Sequence, residues 1–177
     1  QKLYNNIYFD LETQNKIPKG GSTKDARISV MVSWHDIDDY PLGTEENELT
    51  DHIPSFEISD KIIGYNSKAF DMNVLGNYIN VKRYYKKHFD IYHYLRTKHH
   101  VQPKLSDISV PTLKLDKYNL KMTPAKAYQL GLISELLTYC KRDVQITKEL
   151  WEYGREFRHL FYLDHKGIKR KVKVNFK

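Results

Sequence analysis

Residues 4–13, Tyr-Asn-Asn-Ile-Tyr-Phe-Asp-Leu-Glu-Thr, decide the fold class. Leu3 to Leu11 has strand composition, and side chains two apart on a strand share a face. Asp10 and Glu12 therefore stand side by side, while Phe9 and Leu11 turn into the core. Adjacent anions repel unless a cation sits between them. Hard oxygen donors favour Mg²⁺ or Mn²⁺, and the C-terminal end of a central strand is where an α/β sheet holds its ligand. A lone Asp-x-Glu is more often a solvated strand end, so the rest of the chain must supply partners.

Working outward, periodicity gives an α/β order. Lys19-Gly20-Gly21-Ser22 is a turn, and Arg27 to Trp34 alternates as a second strand, so a β-hairpin opens the chain. The acidic stretch from Asp36 to Asp51 holds seven carboxylates and should face water; Thr44 is placed as N-cap of a short helix that Pro54 bends. Lys61 to Tyr65 reads as a buried strand, followed by a helix capped by Ser67 with Phe70, Val74, Leu75, Tyr78 and Ile79 on its apolar side. A short extended piece then precedes a helix from Asp90 to Lys98. Residues 103–123 read as loop with one short helix around Leu105 to Ile108. Thr123-Pro124 caps and starts the next helix, and a long helix follows Gly131. The tail from Gly167 to Lys177 is either a terminal strand or a disordered basic arm.

Two further segments carry chemistry. In Gly64-Tyr65-Asn66-Ser67-Lys68-Ala69-Phe70-Asp71, a strand ends and Asp71 enters a helix close enough to the sheet edge to reach the cavity of Asp10. In Tyr139-Cys140-Lys141-Arg142-Asp143-Val144, a phenol and a carboxylate four residues apart lie on one helix face. Either segment alone is ordinary helix capping or a surface pair. Together with Asp10 and Glu12 they bring four carboxylates toward one pocket, an arrangement that is costly without divalent metal.

Phe-Asp-Leu-Glu-Thr, the Gly64–Asp71 segment and the Tyr139–Val144 segment resemble the three motifs of DnaQ-like 3′–5′ exonucleases, most closely those of family-B DNA polymerase proofreading domains. Tyr139 four positions before Asp143, with Thr138 where another subtype carries histidine, is similar to the tyrosine (DEDDy) subtype. The resemblance covers about residues 4 to 153 and implies a ribonuclease H-like fold, a mixed central sheet flanked by helices. It implies that Asp10, Glu12, Asp71 and Asp143 hold two divalent cations, Mg²⁺ or Mn²⁺, and that Tyr139 orients or deprotonates the attacking water. Leu11, Thr13, Tyr65, Asn66 and Phe70 are the corresponding candidates for gripping the terminal nucleotides. The implied reaction is hydrolysis from the 3′ end of single-stranded nucleic acid, DNA favoured, by a free enzyme or a part or partner of a polymerase or helicase. RNA 3′-end trimming and an inactive nucleic-acid-binding module remain the alternatives.

Composition agrees with such a partner. The 177 residues are near the usual size of one domain, expected as a motif-bearing core over 4–153 and a basic extension over 154–177. Residues 1–60 carry a balance of −7 and residues 61–177 one of +14, the latter with most of the 14 tyrosines, a pairing suited to a nucleic-acid strand. The basic stretches 82–100 and 166–173 are expected to carry that strand. No apolar run approaches the roughly 18 residues of a membrane span. A single cysteine, Cys140, excludes an internal disulfide and a cysteine-based zinc site, so an intracellular, reducing compartment is expected. No Gly-rich phosphate loop is present, and the histidines lack ligand spacing. The chain starts at Gln1 and reads as trimmed or as a piece of something longer.

Overall fold

The computed structural model describes residues 4–177; Leu3, expected at the start of the first strand, lies outside them. Strand β1 (Asn6–Thr13) pairs antiparallel with β2 (Ile28–His35), and β2 pairs antiparallel with β3 (Leu42–Glu45). On its other side β1 runs parallel to β4 (Lys61–Gly64), which runs parallel to β5 (His88–Asp90). The mixed sheet thus has the order β3-β2-β1-β4-β5, with β1 at its centre.

Helices cover both faces. One core holds Ile7, Phe9 and Leu11 against Phe56 of α1 (Ile53–Ile58) and Met72, Val74 and Leu75 of α2 (Asp71–Leu75). The other holds Tyr8, Val30 and Val32 against α6 (Ile133–Phe157), whose Leu136, Cys140, Val144, Ile146, Leu150 and Trp151 are fully buried. Alternation along β1 sends Tyr8, Asp10 and Glu12 toward α6. α3 (Ile91–His99), α4 (Leu105–Leu113) and α5 (Pro124–Gln129) complete the α6 side, the last with Thr123 accepting from the Lys126 N–H as its cap. No helix among the described residues is long and apolar enough to cross a membrane.

Three expectations need correction, and one alternative is decided. Thr44 is not a helix cap: it lies in β3, buried, with its hydroxyl 2.7 Å from His52 Nε2. Ser67 does not cap the helix of Asp71; its hydroxyl sits 2.8 Å from His88 Nε2, and α2 lasts only five residues before turns at Gly76 and Asn77. The helix at Leu105 continues to Leu113 despite Pro111, and ends where Lys114 enters the left-handed region at φ 59°. The tail is a strand: β6 (His159–Leu163) and β7 (Lys169–Lys173) form a separate antiparallel hairpin. Beyond it Phe176 returns to stack on Trp151, centroids 4.9 Å apart and planes 3° apart. Gly154 makes room for that ring, since a Cβ there would lie 2.4 Å from Phe176.

Candidate active site

β1 outruns its parallel neighbour. β4 pairs only with Asn6–Tyr8 and ends at Gly64, so beyond Tyr8 the β4-facing edge of β1 is open. Asp71 closes part of it, its Oδ1 accepting the Leu11 N–H at 3.2 Å. The segment between β4 and α2 is folded around Asp90, at the end of β5. Its buried carboxylate accepts from the N–H groups of Asn66 (2.8 Å), Lys68 (2.9 Å) and His93 (3.2 Å). That anchor holds Asn66 in the left-handed region, φ 58°. Gly64 is required beside it because a Cβ would meet Ser67 Oγ at 2.3 Å.

Across the cleft, α6 presents Tyr139 and Asp143 from successive turns. Asp10, Glu12 and Asp143 each offer one carboxylate oxygen, and these three atoms lie within 4.8 Å of one another. The Cys140 thiol packs under them, its Sγ 3.4 Å from the Asp10 carbonyl oxygen. Burial, followed by the charges of Asp71 and Asp143, holds the Asp10 carboxyl well above its ordinary range. Burial, then Asp10 and Asp143, does the same to Glu12. Asp71 is pushed up to about 8, mainly by burial, and Asp143 is raised by burial against the opposing charge of Lys117. The donor set fits a hard divalent cation. Asp143 Oδ1 in particular is buried with no hydrogen-bond partner, a cost an incoming cation would remove.

Lys117 was not visible in the sequence. It lies in the segment after α4, held where Arg142 donates to the Asp116 carbonyl at 2.9 Å and the Tyr118 hydroxyl donates to Glu135 at 2.6 Å. From there its ammonium reaches Asp143 Oδ2 at 3.2 Å and donates to the Tyr139 hydroxyl oxygen at 2.9 Å. Burial disfavours its charge, but Asp143 and Tyr139 outweigh that and hold its pKa above the ordinary lysine value. The Tyr139 phenol is likewise raised, by burial, with Lys117 opposing.

The expected nucleotide-binding residues separate into two groups. Leu11 is 2% exposed inside the α1–α2 core, and the Thr13 hydroxyl donates to the Asn15 carbonyl, so both side chains are committed internally. The Tyr65 hydroxyl donates to the Pro103 carbonyl at 2.6 Å, leaving only part of its ring open. Asn66 is exposed, and Phe70, next to Asp71 in the chain, is half-buried. Of the basic stretch at 82–87, Lys87 donates to carbonyls at the end of α1, including Ser59 at 2.9 Å, and Arg83 pairs with Glu57. Those two charges are engaged at the opposite end of β4 and β5 from the acidic cluster.

No protein-family model and no curated protein matches the chain. Among solved structures it is similar to the family B DNA polymerase from the hyperthermophilic archaeon Pyrobaculum calidifontis, with a TM-score of 0.66 and 15% identity. That match covers 87% of this chain and 25% of the polymerase. The fold is ribonuclease H-like. Exonuclease I is a second likeness, with a TM-score of 0.50 and 12% identity over 86% of this chain and 41% of that one. The ribonuclease H-like chain therefore spans a quarter to two fifths of the proteins it resembles. At these identities the likeness is one of fold, and the expected mixed sheet flanked by helices is borne out.

Proposed function

We propose that this chain is a metal-dependent 3′–5′ exonuclease of the tyrosine subtype, releasing nucleoside 5′-monophosphates from single-stranded DNA. The observation that carries this reading is the convergence of Asp10, Glu12 and Asp143 within 4.8 Å, with an unpartnered oxygen on Asp143. Asp10, Glu12 and Asp143 would hold the first of two cations, Mg²⁺ or Mn²⁺, and Asp10 with Asp71 the second. When bound, such a pair lowers the pKa of water and neutralises charge on the phosphate and leaving oxygens. Tyr139 keeps its proton at neutral pH and, with Lys117 donating to its oxygen, points that proton toward the water it orients. Asn66 and Phe70 receive the terminal nucleotide by hydrogen bonding and stacking.

We further read residues 4–153 as the motif-bearing core and 154–177 as a basic extension of one exonuclease domain. The fraction of the polymerase that it spans supports work within or beside a polymerase. The free, buried Cys140 supports a reducing, intracellular setting.

The test is digestion of single strands labelled at either end and blocked at the other, with Mg²⁺, Mn²⁺ or EDTA. Mononucleotide release from the free 3′ end, absent in EDTA and in Asp10→Ala, is expected. Cleavage that survives Asp10→Ala, or that proceeds from a 5′ end, overturns the assignment.

A further inference from the structure

The β6–β7 hairpin has two unlike faces. Val172 and Leu160 turn into the core, while Lys169, Lys171 and Lys173 alternate outward, all exposed. The register pairs Lys173 with His159 and Lys171 with Phe161, so those rings share the lysine face. Lys169 Nζ stands 4.4 Å above the Phe161 ring, and His159 packs 5.0 Å from Phe161. The row continues onto the end of α6, with Tyr153 5.8 Å from His159 and 4.5 Å from Phe157, which is 49% exposed. Among the described residues none of the three lysines forms an ion pair.

A lysine-bearing strand is ordinary surface; half-exposed rings running beneath unpaired lysines are not. The hairpin is also closed to strand addition. On the β6 edge the Thr112 hydroxyl donates to the Phe161 carbonyl (2.7 Å) and accepts its N–H (2.9 Å). On the β7 edge the lysines discourage pairing. What fits is a polyanion carrying flat rings, bound by ammonium groups on its backbone and aromatic faces on its bases.

We propose that this face, Tyr153, Phe157, His159 and Phe161 flanked by Lys169, Lys171 and Lys173, is a second contact for single-stranded DNA. The proposal deepens the exonuclease reading and rests on it for the identity of the strand. Asp143 and Phe157 lie on one helix 14 residues apart, about 21 Å at 1.5 Å per residue. A strand whose 3′ end lies at the acidic cluster thus reaches the face only several nucleotides back, and short strands do not reach it.

Binding of 5′-labelled dT20 and dT3 is measured by fluorescence anisotropy in EDTA, where nothing is cut. In the triple variant Lys169→Gln, Lys171→Gln, Lys173→Gln, dT20 affinity should fall about tenfold and its log–log salt slope flatten by about 2. Affinity for dT3 and its Mg²⁺-dependent hydrolysis should not change. Phe161→Leu should weaken dT20 by about tenfold through lost stacking. Iododeoxyuridine placed well behind the 3′ end should photo-crosslink to the 153–161 peptide of the natural chain, a readout independent of variant folding. Unchanged dT20 binding with no crosslink overturns the proposal, and so does equal loss of duplex and single-strand binding. Crosslinking without hydrolysis means that the exonuclease reading alone has failed, and hydrolysis without crosslinking that the second contact has.

Discussion

The Lys117 ammonium bridges Asp143 and Tyr139, 3.2 Å from the carboxylate and 2.9 Å from the phenol oxygen. One side chain from an irregular segment thereby links the two helix residues of the site and offsets part of the carboxylate repulsion. Lys117→Met leaves Asp143 without that partner and should lower metal-free stability by about 1–3 kcal/mol, the cost of an unsatisfied buried acceptor. Chemical denaturation with and without Mg²⁺ checks this: the deficit should shrink when the cation is present. A deficit of equal size in both buffers would mean that Lys117 packs rather than compensates charge.

Tyr139 orients rather than ligates in the proposed chemistry. Tyr139→Phe should slow turnover by roughly 10²–10⁴-fold, the usual contribution of an acid or base group, with Mn²⁺ affinity by titration calorimetry almost unchanged. Parallel loss of metal binding and activity would assign the phenol a supporting role instead.

Asp90 supports the cleft without facing it. Asp90→Ala frees three backbone N–H groups and releases Asn66 from its left-handed conformation, so a stability loss of about 3 kcal/mol is expected. Because Asn66 and Phe70 are placed by this loop, KM for single strands should rise more than kcat falls. Steady-state kinetics on dT20 would separate the two, and a pure kcat effect would contradict the assignment.

Metal-free stability should peak in mildly acidic buffer. Asp71, raised to about 8 from an unfolded value of about 4, contributes stability that is fully present below the lower value and lost as pH rises through the higher one. Buried His52 runs the other way: lowered to about 4 by burial, it stays neutral in the fold while the unfolded chain takes up a proton below about 6.5. Its contribution is lost as pH falls from 6.5 to 4, about 3 kcal/mol in all. Melting curves across pH 4–9 should show both limbs, with Asp71→Asn flattening the alkaline one and His52→Gln the acid one.

The parts of the site visible in the sequence are those that obey a local period. The two-residue repeat of a strand aligned Asp10 with Glu12, and the four-residue spacing of a helix aligned Tyr139 with Asp143. Lys117 obeys neither, because Arg142 and Glu135, far along the chain, hold its segment in place. Asp90 was visible as a helix start but not as a loop anchor, since its Asn66 and Lys68 partners sit more than twenty residues away. Thr44 and Ser67 look like caps in sequence because hydroxyls favour helix starts, yet each met a histidine farther along the chain instead. Alternation in the tail left strand and basic arm both open, because Val172 and Val174 find their partner surface only on α6 and its neighbours.

The acidic cluster draws on the first strand of the sheet and on the last long helix, more than 130 residues apart. It cannot exist in a nascent chain before α6 has docked across β1 and β2. On the proposed reading, cutting ability is therefore acquired only with that docking, and chains folded short of it would be harmless to nucleic acid. On the same reading, divalent cations binding only the finished arrangement would draw that docking step to completion.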